Sequence, residues 1–224
     1  MTPFAPIRAR AAERHGGEAA LNAKLAETIV KPPAEIAAMG DDRLLSEFSK
    51  RVFQAGFNWK VIEKKWPDFE IAFHGFALGP NAFMSDDDLD AHLKNTGIVR
   101  HAKKILSVRD NAIFLSDLAR EHGSAARCIA EWPADDHIGL LDLLKKRGAR
   151  LGGATGQYAL RFLGKESFIL SRDVSAALIA AGVVDKPPTS KAALRAVQDA
   201  FNEWKLETGM SMTHLSRVLA MSTG

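Results

Sequence analysis

Apolar residues recur along this chain at intervals of three and four positions, and the strict alternation of a half-buried β-strand is absent. One such segment carries apolar side chains at Leu44, Leu45, Phe48, Val52 and Phe53. These intervals place apolar side chains along one face of a helix. The sequence therefore predicts an all-α fold.

The longest periodic segment spans residues 98–121, and we expect Ile113 to belong to its buried stripe. Another helix is predicted to begin at Asn58 and to end before Pro67, because proline lacks the N–H that a helix interior requires. The first thirty residues have a helical composition but a pattern that predicts weak packing. Further helices are predicted over residues 85–93, 124–132, 138–147, 155–163, 171–181, 191–205 and 211–221.

The composition is that of an ordinary folded protein, with 224 residues of which 46% are hydrophobic and 25% charged. A single cysteine, Cys128, excludes a disulfide framework and any zinc site that needs two thiolates. No segment approaches the ~18 uninterrupted apolar residues of a membrane span, and the first residues lack the apolar core of a signal peptide. We expect a bacterial-type cytoplasmic protein without metal or cofactor.

Positive charge is concentrated in one part of the chain. Residues 145–172 contain seven Lys and Arg residues and one acid, Glu166, which gives a local net charge of +6 against +3 for the whole chain. Two interpretations are open, a solvated helix face or a surface for an anionic partner such as DNA.

A glycine-rich turn lies within this basic segment, between two predicted helices at residues 147–158. Glycines permit positive φ and leave backbone N–H groups uncovered, and a helix N-terminus attracts phosphate oxygens. The pattern is typical of a helix-hairpin-helix that binds the DNA backbone, although a tight turn between helices also favours glycine. The candidate DNA-binding residues here and in the flanking basic positions are Arg150, Gly152, Gly153, Thr155, Gly156, Lys104 and Lys165.

Three sequence blocks resemble the 3-methyladenine DNA glycosylase I family. They are QAGFNW at residues 54–59, GIVRH at 97–101, and LKKRG at 144–148 followed by Gly153, Thr155 and Tyr158. The resemblance extends over about residues 45–185. It implies the all-helical helix-hairpin-helix glycosylase fold. It also implies hydrolysis of the N-glycosidic bond to an alkylated base, such as 3-methyladenine, flipped out of damaged double-stranded DNA.

We expect three parts in the chain: an N-terminal helical extension over residues 1–40, a glycosylase-like helical core over 41–186, and C-terminal helices over 187–224 that pack back on the core. The helix-hairpin-helix would occupy about residues 145–165 of the core. We expect a monomer that associates with the nucleoid when it acts on DNA.

A flipped alkylated purine carries positive charge, and electron-rich aromatic faces hold such a cation. Trp59 matches the stacking tryptophan of the family, and Phe53 and Asn58 are further candidates for the base pocket. For Trp59 and Phe53 the alternative is packing in the core of a helix pair. Tyr158 is interpreted as a packing residue.

The sequence departs from the family where the base would be recognised. The base-binding glutamate of the family, eight positions before the tryptophan, is replaced by Arg51, and a cation there would repel a cationic base. Glu47, one helical turn earlier, is a candidate substitute, or alternatively an exposed helix acid. The zinc clamp of the family, made of two Cys and two His, is also missing.

The catalytic carboxylate is a second departure. The position at which many glycosylases of this superfamily carry aspartate is Ser171 in this chain, and Asp173 lies close by in the sequence. Asp173 is a candidate for stabilising an oxocarbenium-like transition state, and a helix cap or an ion pair with Arg172 is the alternative. Three functions remain open: a 3-methyladenine-type glycosylase, a lesion-binding protein without hydrolysis, and a glycosylase for a different lesion.

Overall fold

The computed structural model describes residues 2–223, in which all regular structure is helical. This confirms the predicted all-α class. The α-helices are α1 (Phe4–Arg14), α2 (Glu18–Ala26), α3 (Pro33–Ala37), α4 (Asp41–Gln54), α5 (Trp59–Ala72), α6 (Leu78–Ala82), α7 (Asp86–Lys94), α8 (Ala102–His122), α9 (Ala125–Glu131), α10 (His137–Arg147), α11 (Ala154–Leu163), α12 (Arg172–Ala180), α13 (Lys191–Thr208) and α14 (Met212–Ser222). Short 3-10 turns occupy His74–Phe76 and Ala134–Asp136. Among the described residues, no helix is long and apolar enough to cross a membrane.

The described chain forms two compact units. The first unit contains residues 2–31, 132–139 and 164–223, and its core is built from α1, α2, α12, α13 and α14. Phe4 packs against Trp204 with ring centroids 5.4 Å apart, and both side chains are fully buried. The prediction of weak packing near the N-terminus is therefore wrong, because Phe4, Ile7 and Ala11 recur at helical spacing and enter this core.

The second unit contains residues 32–131 and 140–163. Its organising element is α4, which packs against α5, α8, α9 and α11. Buried residues on several faces of α4, including Leu44, Phe48 and Phe53, fill the core of this unit. The same packing brings the C-terminal half of α4 beside α11 and the start of α5.

Two sequence predictions about these helices are wrong. Pro67 lies inside α5, which continues to Ala72. Trp66 and Phe69, on either side of the proline, stack on each other with ring centroids 4.9 Å apart. Burial of these rings offsets the backbone hydrogen bond that Pro67 cannot donate. Ile113 is 43% exposed rather than buried, since α8 turns that position away from the core.

Candidate base-binding and nucleic-acid site

A buried ion pair lies on α4 in the second unit. Arg51 Nε is 2.6 Å from Glu47 Oε1, one helical turn away, and the Arg51 residue is only 6% exposed. Burial raises the pKa of Glu47, while the nearby Arg51 charge opposes that rise. Burial likewise lowers the pKa of Arg51, against the opposing charge of Glu47. Glu47 is thus a partner of Arg51, and its interpretation as an exposed helix acid is wrong.

Two aromatic side chains, Trp59 from α5 and Phe162 from α11, flank this guanidinium, and Tyr158 from α11 packs against Trp59. These three side chains are called here the aromatic cage. The Trp59 ring lies edge-on to Tyr158 at 5.6 Å and to Phe162 at 5.9 Å. The Arg51 guanidinium carbon lies 3.8 Å from the Phe162 centroid and 5.5 Å from the Trp59 ring. These are cation–π distances.

Trp59 is 38% exposed, so part of its ring remains open to a partner. The structure places Trp59 within cation–π distance of Arg51, which is paired with Glu47. Phe162 was missed in the sequence. Its position one helical turn after Tyr158 was the signal that could have shown it, since residues four apart on a helix share a face.

A second polar pair lies further along α4. Gln54 Nε2 donates to Glu63 Oε1 at 3.4 Å, and Gln54 is buried. Within the described residues, Gln54 Oε1 and Arg51 Nη1 are buried without a hydrogen-bond partner. Buried polar atoms rarely remain unpaired in a folded protein, so these two atoms are candidates for hydrogen bonds to a polar ligand.

Phe53 does not belong to the cage. Its side chain is fully buried and packs edge-on against Phe69 at 4.6 Å, so the base-pocket interpretation of Phe53 is wrong. Asn58 lies beside Trp59 as the N-cap of α5, where its Oδ1 accepts a hydrogen bond from Lys60 N at 3.0 Å. Asn58 thus fixes the start of the helix that carries Trp59.

The glycine-rich turn joins α10 to α11 as the sequence predicted. Arg150 and Gly153 both adopt the left-handed backbone region, at φ values of 62° and 60°. Gly156 is buried, and only glycine fits there because a Cβ would collide with the carbonyl oxygen of Leu151. Asn111 holds the turn from α8: its Oδ1 accepts from Ala149 N at 2.8 Å and its Nδ2 donates to Ala149 O at 3.1 Å.

A surface cleft of about 310 Å³ lies between the C-terminal half of α4 and this turn. Its lining residues are Val52, Ala55, Arg150, Gly152 and Thr155. Three of the predicted DNA-binding residues therefore share one cleft. Its basic and backbone groups can receive a phosphate oxygen.

The positive charge of the segment is partly neutralised. Arg147 pairs with Glu121 at 2.7 Å and Lys146 with Asp142 at 2.5 Å, whereas Lys145 is exposed. The net positive charge that residues 145–172 present at the surface is therefore smaller than the +6 counted from the sequence. Arg150, at the tip of the turn, is exposed as well.

Two predicted phosphate contacts are wrong because the lysines are buried. Lys104 Nζ donates to Phe53 O at 3.1 Å and to Ala55 O at 2.5 Å, and it thereby satisfies the C-terminal carbonyls of α4. Burial lowers the pKa of Lys104 to about 8. Lys165, in the first unit, donates to Trp132 O at 2.7 Å.

The candidate catalytic residue Asp173 lies in the first turn of α12, in the first unit. Its side chain is exposed, and its backbone carbonyl accepts from the Thr223 hydroxyl at 3.1 Å. Ser171 is the N-cap of this helix, where its Oγ accepts from Val174 N at 3.2 Å. The catalytic role of Asp173 stays a prediction.

The residues do not fit the zinc clamp that the resemblance implies. Cys128 is the only cysteine in the sequence, and it is buried in α9, where burial raises the pKa of its thiol. Across residues 2–223, no three His, Cys, Asp or Glu side chains are grouped closely enough to hold a metal ion.

Comparisons with known proteins give matches over part of this chain. Residues 36–139 match the sequence model of the methyladenine glycosylase family. The chain is 37% identical over 59 residues to DNA-3-methyladenine glycosylase of Haemophilus influenzae and 34% identical over 59 residues to DNA-3-methyladenine glycosylase 1 of Escherichia coli. Each match covers 26% of this chain and 32% of the relative, so the chain spans about a third of the curated relatives it matches.

A solved structure shares the fold. The 3-methyladenine DNA glycosylase I of Staphylococcus aureus superposes with a TM-score of 0.53 at 22% identity, covering 61% of this chain and 80% of that one. This likeness shows the all-helical glycosylase fold. Residues 36–139, which are less than half of the chain, are thus similar in sequence to the methyladenine glycosylase family.

Proposed function

We propose that this protein is a base-excision repair DNA glycosylase, a hydrolase that cleaves the N-glycosidic bond of a damaged base flipped out of duplex DNA. The relatives are named for 3-methyladenine, so an alkylated base of this kind is one candidate substrate. The observation that carries the proposal is the partly exposed Trp59 in the aromatic cage, within the family-matched segment. A base inside the stack is unreachable, and an extruded base needs an aromatic surface on which to stack.

The turn between α10 and α11 supports duplex DNA as the partner. Arg150, Gly152 and Thr155 line one cleft, and Gly153 lies beside them in the turn. We propose that these groups contact the phosphate backbone, which sets position rather than sequence preference. Both the cleft and the aromatic cage include residues of α4 and α11, and α5 adds Trp59 to the cage.

We propose Asp173 as the carboxylate that stabilises positive charge developing on the sugar, because it lies close in sequence to the position at which many glycosylases of this superfamily carry aspartate. Its side chain is exposed in the first turn of α12. Glu47 is less available for this role, since Arg51 engages it in a buried ion pair. We further propose that the protein acts as a monomer in the bacterial cytoplasm, at the nucleoid. Its one buried free cysteine suits a reducing compartment.

A second candidate function is recognition of damaged DNA without hydrolysis. It is favoured by Ser171, which caps α12 at the position where related enzymes of the superfamily carry a catalytic aspartate. Such a protein would bind a duplex that contains an abasic site and would release no base.

Release of free base from damaged duplex DNA separates these two functions. We expect the wild-type protein to release base faster than spontaneous loss, and Trp59→Ala to reduce that rate. Tight binding to an abasic duplex without release of any damaged base would favour the second function and contradict hydrolysis.

A further inference from the structure

We propose that Arg51 and Gln54 direct the aromatic cage toward a neutral base that presents a carbonyl oxygen beside a ring N–H, in preference to a cationic alkylated purine. Hypoxanthine and uracil have such an edge. This inference rests on the proposed glycosylase function and specifies its substrate class.

The guanidinium already occupies the cationic position of the cage. Arg51 lies 3.8 Å from the Phe162 centroid, at the face that would otherwise stabilise a positively charged ring. The ionisable groups whose charges act on it are Glu47 and Lys50 on α4 and Glu63 on α5. A second cation placed against the guanidinium would be repelled, and the Arg51 N–H groups offer it no acceptor.

The hydrogen-bonding atoms that lack partners define the complementary ligand. Arg51 Nη1 is a buried donor, and Gln54 Oε1, three positions along α4, is a buried acceptor. The orientation of the Gln54 amide follows from Glu63, whose carboxylate accepts but does not donate and therefore faces the amide nitrogen. A carbonyl oxygen satisfies the donor, and the adjacent ring N–H satisfies the acceptor.

The chemistry of a neutral leaving base gives the guanidinium a second role. As the bond between C1′ and the base nitrogen breaks, its electron pair moves onto the base, and negative charge develops on the carbonyl oxygen. Water adds its oxygen to C1′, and the proton that it loses finishes on the released base. A cationic donor at the carbonyl stabilises this charge in the transition state. A cationic purine becomes neutral as it leaves, so it develops no negative charge that a donor could stabilise.

The test compares release of base from duplexes that carry a single hypoxanthine, uracil or 1,N6-ethenoadenine, and from methylated duplex DNA that contains 3-methyladenine. The ethenoadenine base is neutral but lacks the carbonyl and N–H edge. For the wild-type protein we expect release of hypoxanthine or uracil to exceed the spontaneous rate by the largest factor.

Substitution of Arg51 tests its part directly. Arg51→Gln is expected to slow release of the neutral base about tenfold to a hundredfold, the range that follows from loss of one charge-assisted hydrogen bond. Release of 3-methyladenine is expected to be maintained or to rise. Arg120→Gln is the matched control, because this arginine is 77% exposed on α8 and is expected to leave release unchanged.

A double variant that exchanges the two charges controls for misfolding caused by an unpaired buried charge. Glu47→Arg combined with Arg51→Glu keeps opposite charges one turn apart, and it is expected to shift preference toward 3-methyladenine. Circular dichroism confirms that each variant is folded.

Four outcomes would overturn the inference. Release of 3-methyladenine alone by the wild-type protein would overturn the substrate class while leaving the glycosylase function intact. Equal release of ethenoadenine and hypoxanthine would overturn the role of the carbonyl edge. Equal rates for Arg51→Gln and Arg120→Gln would overturn the role of Arg51. Absence of release from every duplex would overturn the glycosylase function itself, and the inference with it.

Discussion

Trp59 is expected to contribute more to activity than to stability. Its ring is partly exposed, so Trp59→Ala leaves little cavity in the core, while it removes a stacking surface worth about 1–3 kcal/mol per base. We expect release of base under single-turnover conditions to slow about tenfold or more, with a nearly unchanged melting temperature. Val61→Ala, on the same helix and also exposed, is the control. A loss of stability without a loss of rate would assign Trp59 to packing.

Lys104 links stability to pH. Its pKa is lowered to about 8 in the folded protein, against about 10.4 in an unfolded chain. Between these values the unfolded state binds more protons, so this residue makes the free energy of unfolding rise as pH increases. We expect the wild-type protein to gain stability relative to Lys104→Met between about pH 8 and pH 10, measured by urea denaturation. If the free energy of unfolding depended on pH in the same way for both proteins, the lowered pKa of Lys104 would be contradicted.

At the scale of elements, the turn between α10 and α11 depends on glycine for packing as well as for backbone freedom. A Cβ at Gly156 would collide with the Leu151 carbonyl, whereas a Cβ at Gly152 would make ordinary contact with the Lys145 side chain. We expect Gly156→Ala to destabilise the protein by about 1–3 kcal/mol, the usual cost of overpacking. Gly152→Ala should cost much less in the same denaturation experiment, and equal losses would contradict the close approach.

The same turn should set the salt dependence of DNA binding. Each phosphate contact that is lost lowers the slope of log K against log salt by about 0.9. We therefore expect Arg150→Ala to reduce the slope by about this amount, and Lys104→Met, whose ammonium is buried on backbone carbonyls, to leave it unchanged. Fluorescence anisotropy with a labelled duplex measures both. An unchanged slope for Arg150→Ala would remove Arg150 from the DNA surface.

Most helices could be predicted because their signals are local. Ser85 forms a capping box with Asp88, and apolar spacing marks the buried face of α4. Pro67, Phe53 and Lys104 could not be interpreted in this way, since their roles depend on residues brought to them by tertiary packing. The positions of Trp59 and Arg51 were evident from the sequence, but their contact with Phe162 required the packing of α4 on α11.

For the molecule as a whole, the N-terminal helix is an integral part of the first unit. Phe4 is fully buried against Trp204, so Phe4→Ala is expected to cost about 3–5 kcal/mol of stability. Ile29→Ala, at an exposed position of the same unit, should have little effect in chemical denaturation. Equally small losses of stability for Phe4→Ala and Ile29→Ala would show that α1 contributes little to the core of this unit.

Hydrolysis of an N-glycosidic bond in damaged DNA is tested most directly by single-turnover release of free base, with hypoxanthine, uracil and 3-methyladenine duplexes measured side by side. We predict release above the spontaneous rate, fastest relative to that rate for a neutral base with a carbonyl edge, and slowed by Trp59→Ala. Release at the spontaneous rate from every duplex, by a folded protein that still binds DNA, would contradict a glycosylase function.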